Sequence, residues 1–83
     1  MKIDIRYFAS IREEIGDPAE QVETAAPTLA ALRDELIARG GAHAEVLARG
    51  RAVRVALNQT MSDESAALAE GDEVAFFPPV TGG

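Results

Sequence analysis

Residues 27–41, with the sequence Pro-Thr-Leu-Ala-Ala-Leu-Arg-Asp-Glu-Leu-Ile-Ala-Arg-Gly-Gly, predict the one long helix of this chain. Thr28 is a favourable N-cap, and the pair Gly40-Gly41 ends the helix. The apolar side chains that fall on one face are Leu29, Leu32, Leu36 and Ile37. The polar side chains expected to point outward are Arg33, Asp34 and Glu35. Such a helix needs an apolar surface to cover.

Segments in which apolar and polar residues alternate, as in half-buried strands, precede and follow this helix in the sequence. In residues 1–8, Ile3, Ile5 and Tyr7 share one side and charged residues the other. Residues 52–57 alternate in the same way, and residues 73–77 predict a final strand. Residues 20–23 are a weaker strand candidate that would return beside the first strand. The helix therefore has strands to pack against.

The connecting segments are shorter and less regular. Ser10 and Glu13 match a capping box, which predicts a helix of one or two turns ending at Gly16. Residues 42–51 leave open a short helix around Val46 and Leu47 that ends at Gly50. Turns are predicted at residues 58–60 and 70–72, with Gly71 at a positive φ, and residues 62–68 as a loop. This order predicts an α+β domain over residues 1–77, in which one main helix crosses a mixed sheet.

The composition excludes several classes of partner and site. The net charge of −6 argues against nucleic acid and anionic membranes, which bind basic surfaces. The absence of cysteine removes disulfides, thiolate metal sites and a cysteine nucleophile, and the presence of only one histidine argues against a metal site. No stretch is apolar enough to span a membrane, and no signal peptide is recognisable. We therefore expect a cytoplasmic protein that binds no metal, nucleic acid or membrane.

Residues 78–83 predict an extended, flexible tail. Pro78 and Pro79 end the last strand because neither can donate to a ladder. Val80 and Thr81 offer small contacts before Gly82 and Gly83, which lack Cβ atoms and fit a narrow channel. A glycine pair alone is equally compatible with an unselected terminus. Beyond Phe77 the six residues reach about 20 Å when extended.

The Gly83 carboxylate would be the reactive group of this tail. A free carboxylate must be activated, ordinarily as an acyl-adenylate made from ATP. The sequence contains no phosphate-binding Gly-rich loop and no catalytic constellation, so activation must come from another protein. Sulfur could then displace AMP to leave a thiocarboxylate, or an amine could form an isopeptide bond.

Residues 68–83, which end in Phe-Phe-Pro-Pro-Val-Thr-Gly-Gly, resemble the C-terminus of the molybdopterin synthase small subunits, the MoaD-type ubiquitin-like sulfur carriers. Residues 55–60 resemble the strand and Asn-Gln turn of that family, and residues 6–13 resemble its first strand and the following helix. The resemblance spans the chain and departs from the family only in residues 39–52.

The resemblance implies a ubiquitin-like β-grasp fold and a cycle that depends on partner proteins. An E1-like adenylyltransferase would consume ATP to adenylate Gly83, and a sulfurtransferase would convert the adenylate to a thiocarboxylate. The large catalytic subunit of molybdopterin synthase would receive the tail, in a heterotetramer of two small and two large subunits. Sulfur would then pass to cyclic pyranopterin monophosphate to form the molybdopterin dithiolene. The chain itself would be non-catalytic and would hold no permanent cofactor.

The residues expected to contact partners come from the last strand and the tail. They are Phe76, Pro78, Pro79, Val80, Thr81 and Gly82. Phe76 and Phe77 lie on opposite faces of a regular strand, so one belongs to the core and the other is available to a partner. Three arginines, Arg49, Arg51 and Arg54, are predicted to form a solvated basic group, with ion pairs to an acidic partner as the alternative. His43 is predicted to lie in a surface loop.

Two alternative functions remain open at this point. The first is sulfur delivery for thiamine or cysteine synthesis, although those relatives generally lack the Phe-Phe-Pro-Pro segment. The second is a ubiquitin-like protein modifier or plain interaction module, which would use the same glycine pair.

Overall fold

One mixed sheet of five strands forms the frame of the described part of the chain. The computed structural model describes residues 1–79. Its elements are β1 (Lys2–Tyr7), α1 (Ala9–Ile15), β2 (Ala19–Glu23), α2 (Leu29–Ala38), α3 (Gly41–Val46), β3 (Arg54–Leu57), β4 (Thr60–Ser62) and β5 (Glu73–Phe77). The strand order is β2-β1-β5-β3-β4, with β1 and β5 parallel and the other neighbours antiparallel. The predicted α+β class and mixed sheet are confirmed.

The helices pack on one face of this sheet and leave the other face open. The side chains of Ile3 and Ile5 in β1 are 0% exposed, as is that of Val74 in β5. Three leucines of α2 cover them, namely Leu29, Leu32 and Leu36. Each such side chain stabilises the fold by about 1.5–3 kcal/mol. The predicted apolar faces of β1 and α2 are therefore the two sides of the core.

The N-terminus of α2 is held by its cap and by the loop before β5. Thr28 Oγ1 accepts a 3.2 Å hydrogen bond from the Ala31 amide, which confirms the predicted N-cap. The first amides of the helix, at Leu29 and Ala30, donate to the carbonyls of Ala66 (3.1 Å) and Glu64 (2.8 Å). The loop therefore satisfies amides that a helix end leaves without partners.

The predicted capping box at Ser10 is wrong. Phe8 is the N-cap of α1 and makes no side-chain capping bond, and Ser10 lies inside the helix. The helix begins earlier because Ala9 turns the chain sharply with a φ of 52°. Gly16 ends α1 at a φ of 91°, as predicted, and donates to the Arg12 carbonyl.

Two other segments differ from the predictions. α3 begins at Gly41 and ends at Val46, so the helix lies earlier than expected in the segment that the sequence left ambiguous. The turn predicted at residues 58–60 is a two-residue turn, because Thr60 already pairs with Leu57. β4 therefore includes Thr60 and Ser62, positions assigned from sequence to a turn and a loop.

Arg33 is buried rather than exposed, with 3% of its surface accessible. Its guanidinium donates to the carbonyls of Leu47 (2.7 Å) and Ala48 (2.8 Å) and to the carboxylate of Glu64 (2.8 Å). A buried charge is tolerated when it is paired and fully hydrogen-bonded. Arg33 thus fixes the segment after α3 to α2, whereas Asp34 and Glu35 are exposed as predicted.

Candidate functional site

The base of the C-terminal tail is the central strand of the sheet. β5 pairs with β1 through Tyr7 and Phe76, and with β3 through Arg54 and Phe77. The Phe8 amide adds a 3.1 Å hydrogen bond to the Phe76 carbonyl. The strand is therefore held by β1 up to Phe76 and by β3 up to Phe77. The tail leaves the domain from a rigid position.

The structure corrects the assignment of Phe76 as a partner contact. Its side chain is 0% exposed and stacks on Tyr7, with 6.3 Å between ring centroids. Phe77 lies on the opposite face and is half-buried, as are Pro78 and Pro79. Phe77 is thus the aromatic side chain of β5 that a partner can reach. The other predicted tail residues, Val80, Thr81, Gly82 and Gly83, lie outside the described residues.

A shallow concavity of about 430 Å³ lies on the open face beside Phe77. Ala56 and Ala75 pair across β3 and β5 and form its floor, because their small side chains leave space above the sheet. The remaining lining residues are Arg6, Phe8, Gln59, Glu73 and Phe77. Two large apolar side chains are exposed among the described residues, Phe8 at 44% and Met61 at 51%.

These exposed apolar side chains belong to one surface. Phe8 directly follows β1 and lines the concavity, and Met61 pairs with Ala56 at its floor. We call Phe8, Ala56, Met61, Ala75 and Phe77 the apolar sheet surface, in which the two alanines form a floor that is only 8% exposed. Exposed apolar groups that cluster in this way mark interaction sites more often than scattered ones do.

Sequence reasoning missed most of this surface, although a signal was present. Phe8 follows Lys2, Asp4 and Arg6 on the polar side of the β1 alternation, so a large apolar residue there has no core to enter. Ala75 and Phe77 alternate in the same manner with Val74 and Phe76, which belong to the core on the other face.

Charged groups border the apolar sheet surface on both sides of β5. Arg6 Nε lies 3.2 Å from Glu73 Oε1, and both side chains line the concavity. Arg54 is exposed and pairs with Phe77 across the sheet. Arg49 instead donates to Asp34 (2.8 Å) and to Glu64 within the domain. Of the three arginines predicted as a basic group, Arg49 is therefore engaged internally, and Arg51 and Arg54 are exposed.

A polar cluster that the sequence analysis did not predict lies on the helix side, centred on Glu20. Its carboxylate accepts a 2.7 Å hydrogen bond from the Tyr7 hydroxyl and another of 2.7 Å from Arg39. His43 Nε2 lies 3.1 Å from the same carboxylate, and its ring meets Tyr7 edge-on. The prediction of His43 as a surface loop residue is wrong, since it lies in α3 with its side chain 16% exposed.

The cluster changes the ionisation of its members. Burial, reinforced by the hydrogen bond to Glu20, raises the pKa of Tyr7 well above its ordinary value. Burial also works against ionisation of Glu20. Hydrogen bonds from Arg39, Tyr7 and His43 outweigh it and lower the pKa of that carboxyl. Glu20 is therefore an anion at neutral pH that joins β1, β2 and the ends of two helices.

The described residues also bear on metal binding and on membrane spans. Within residues 1–79, no three His, Asp or Glu side chains are grouped so that they could hold a metal ion. In the same part of the chain, no helix has the length and apolar character needed to cross a bilayer.

This chain is similar over nearly its full length to known sequences. Residues 5–83 match the ThiS family. A molybdopterin synthase sulfur carrier subunit of Haemophilus influenzae is 43% identical over 81 residues, which cover 98% of this chain and 99% of the relative. The matched family segment extends to Gly83 and so includes the predicted tail.

Solved structures agree with this similarity. SAMP1, a small archaeal modifier protein of Haloferax volcanii, has a TM-score of 0.79 at 27% identity, with both chains covered completely. A chain in the complex of subunits 1 and 2 of molybdopterin-converting factor from Helicobacter pylori has a TM-score of 0.71 at 26% identity, again with complete coverage of both. The ubiquitin-like β-grasp prediction is confirmed by these likenesses.

Proposed function

The chain belongs to the ThiS family, and from this membership we propose that it is the sulfur carrier subunit of a molybdopterin synthase. The observation that supports this most directly is the 43% identity, over nearly the full length of both chains, to a subunit of that name. The fold adds a physical reason: a reactive tail would begin directly after Phe77, at the end of a strand bonded on both sides.

In this proposal the Gly83 carboxylate is the group that reacts. An adenylyltransferase would use ATP to form the glycyl adenylate, with release of pyrophosphate. The terminal sulfur of a sulfurtransferase persulfide would then displace AMP to form an acyl disulfide, and a thiol would reduce its S–S bond to leave the thiocarboxylate. The chain has no cysteine, so the tail is the place where it could hold labile sulfur. It would deliver that sulfur to the pyranopterin precursor in the active site of a partner.

The large subunit of the synthase is the proposed partner that receives the tail. The H. pylori neighbour is described as a complex of subunits 1 and 2, which supports an assembly of this kind. We extend this to a heterotetramer with two small subunits bound to a dimer of large subunits. The small subunit would supply sulfur, and the large subunit would supply the catalytic groups.

The apolar sheet surface is the proposed docking site for the large subunit. Phe77 belongs to this surface and stands directly before the tail. A partner that encloses the tail must therefore contact the sheet beside the tail exit. Phe8 and Met61 add exposed apolar area there, and partner surfaces have apolar centres with polar rims.

Mass spectrometry of the intact protein tests the proposed chemistry. The chain would be incubated with its adenylyltransferase, ATP and a sulfur source, and then with the large subunit and the pterin precursor. We expect the exchange of one oxygen for sulfur at Gly83, followed by loss of that sulfur as molybdopterin forms. If a competent activating enzyme leaves Gly83 unmodified, the proposal is wrong. If the chain is thiocarboxylated but no molybdopterin forms, sulfur delivery for thiamine or cysteine synthesis becomes the better reading.

A ubiquitin-like modifier is the second candidate, and the likeness to SAMP1 favours it. The same activated Gly83 would then react with a lysine amine instead of a sulfur donor. Cell extracts should in that case contain the domain joined to other proteins by isopeptide bonds. Deletion of Gly83 should abolish those conjugates while molybdoenzyme activity stays normal.

A further inference from the structure

The turn between β3 and β4 holds two residues in a conformation that side chains rarely adopt. Asn58 has a φ of 50° and Gln59 a φ of 68°. Two consecutive positive φ values define the tight hairpin turn for which Asn-Gly is the preferred sequence. Asn58 suits the first position, whereas Gln59 occupies the position that glycine fills with the least strain.

Hydrogen bonds within the domain explain why Asn58 adopts a positive φ. Its Nδ2 donates a 3.0 Å hydrogen bond to Asp72 Oδ1, and its Oδ1 accepts one of 2.9 Å from the Glu73 amide. These bonds join the turn to the start of β5. The strain at Asn58 is therefore offset inside the domain.

No comparable hydrogen bonds explain why a side chain is present at Gln59. Its side chain is exposed and takes part in none of the hydrogen bonds found within residues 1–79. It lines the concavity of the open face, together with Glu73 and Phe77. The hairpin requires the positive φ at position 59, but it requires no side chain there, because glycine adopts this conformation with less strain. Residues that keep a side chain in such a conformation concentrate at binding sites. The side chain of Gln59 is therefore available to a partner that covers the concavity.

We propose that Gln59 is a specificity-determining contact with the large subunit, an inference that rests on the function proposed above. Its carboxamide can donate and accept at once, which matches the N–H and C=O groups of an exposed peptide bond. It lies at the rim of the apolar sheet surface, where interfaces place their polar contacts. The group that the Gln59 carboxamide contacts is therefore a main-chain peptide bond of the large subunit.

The decisive comparison is between Gln59→Gly and Asn58→Gly. Gln59→Gly relieves the strained position, so its thermal midpoint should rise by a few degrees. The same change removes the proposed contact, so affinity for the large subunit should fall by roughly 2- to 10-fold, the range for one net hydrogen bond. Asn58→Gly should show the opposite pattern, with a lower midpoint and unchanged affinity. Calorimetric titration and thermal unfolding measure both quantities.

Sulfur transfer adds a readout that a purely structural role would not change. With Gln59→Gly, the concentration of large subunit that gives half of the maximal transfer rate should rise. The maximal rate itself should stay normal. If Gln59→Gly binds as tightly as the unmodified chain, or is less stable than it, the Gln59 inference alone is wrong. If the unmodified chain does not bind the large subunit at all, the proposed function fails and this inference fails with it.

Discussion

The hydroxyl group of Tyr7 donates a 2.7 Å hydrogen bond to Oε2 of Glu20, and this bond joins β1 to the edge strand β2. The Glu20 carboxylate also accepts from Arg39 at the end of α2 and lies beside His43 in α3. Tyr7 in turn stacks on Phe76, two residues before Pro78. One carboxylate thus links the helix layer to the strand pair that supports the tail.

Glu20→Gln should make the stability of the domain less dependent on pH. Folding lowers the pKa of Glu20 below its ordinary value of 4.5. The carboxylate therefore contributes its full stability above that value and loses it as the pH falls through the folded pKa. We expect Glu20→Gln to lower the free energy of unfolding by about 1–2 kcal/mol at pH 7. Urea unfolding should show that this difference shrinks below about pH 4.

Tyr7→Phe is the matched control for this prediction. It removes one hydrogen-bond donor but keeps the ring on Phe76 and leaves Arg39 and His43 beside Glu20. It should cost less at pH 7 than Glu20→Gln and should keep most of the acid dependence. Equal pH dependence of the unmodified chain and Glu20→Gln would contradict the role assigned to this carboxylate.

The buried Arg33 should contribute far more to stability than the exposed Arg49. Arg33→Met leaves the carbonyls of Leu47 and Ala48 without their donor and removes the partner of Glu64. We expect a loss of about 3 kcal/mol in the free energy of unfolding. Arg49→Met breaks ion pairs that solvent already screens, and it should cost below about 1 kcal/mol. Chemical denaturation of the two variants measures the difference, and similar losses in both would contradict this reading of burial.

The strands and the main helix could be predicted because their patterns are local. Ile3, Ile5 and Tyr7 alternate with charged residues over a length that only a half-buried strand explains, and all three are buried. Thr28 lies at the N-cap position, and its hydroxyl accepts the expected hydrogen bond from a helix amide. In each case the signal lies within one turn of helix or a few residues of strand.

The errors concern residues whose surroundings come from distant parts of the chain. The helix pattern predicts Arg33 at the surface, but residues 47–51 and Glu64 surround it with acceptors that the pattern does not show. The local sequence predicts His43 in a loop, whereas the fold places it beside Glu20 and Tyr7. Phe76 and Phe77 lie on opposite faces by alternation, but only the packed helices show which face is buried. Local periodicity does not contain this information.

Phe8→Ala should weaken binding to the large subunit without unfolding the domain. Phe8 is 44% exposed on the apolar sheet surface, so its truncation leaves little cavity. An aromatic side chain near the centre of an interface often contributes about 1–3 kcal/mol, which corresponds to roughly 5- to 150-fold in affinity. Glu45→Ala, an exposed change on α3, is the control and should bind normally. Tight binding by Phe8→Ala would argue against this face as the docking site.

Gly82→Ala should impair sulfur delivery and leave the stability of the domain unchanged. If the tail enters a channel that admits no Cβ atom, one added methyl group displaces the reacting carbonyl of Gly83. A displacement of about 1 Å can slow a reaction by roughly 100-fold. Single-turnover conversion of the pterin precursor by the thiocarboxylated protein and the large subunit measures this rate.

Gly50→Ala is the matched control, because it makes the same chemical change away from the tail. Gly50 is exposed, and a Cβ atom added there meets nothing within 4 Å. Both variants should unfold at the temperature of the unmodified chain, and Gly50→Ala should also transfer sulfur at the normal rate. A defect confined to Gly82→Ala separates obstruction of the tail from a general effect of replacing glycine. Normal transfer by thiocarboxylated Gly82→Ala would instead mean that the channel tolerates a side chain, and that the glycine pair serves the adenylation step.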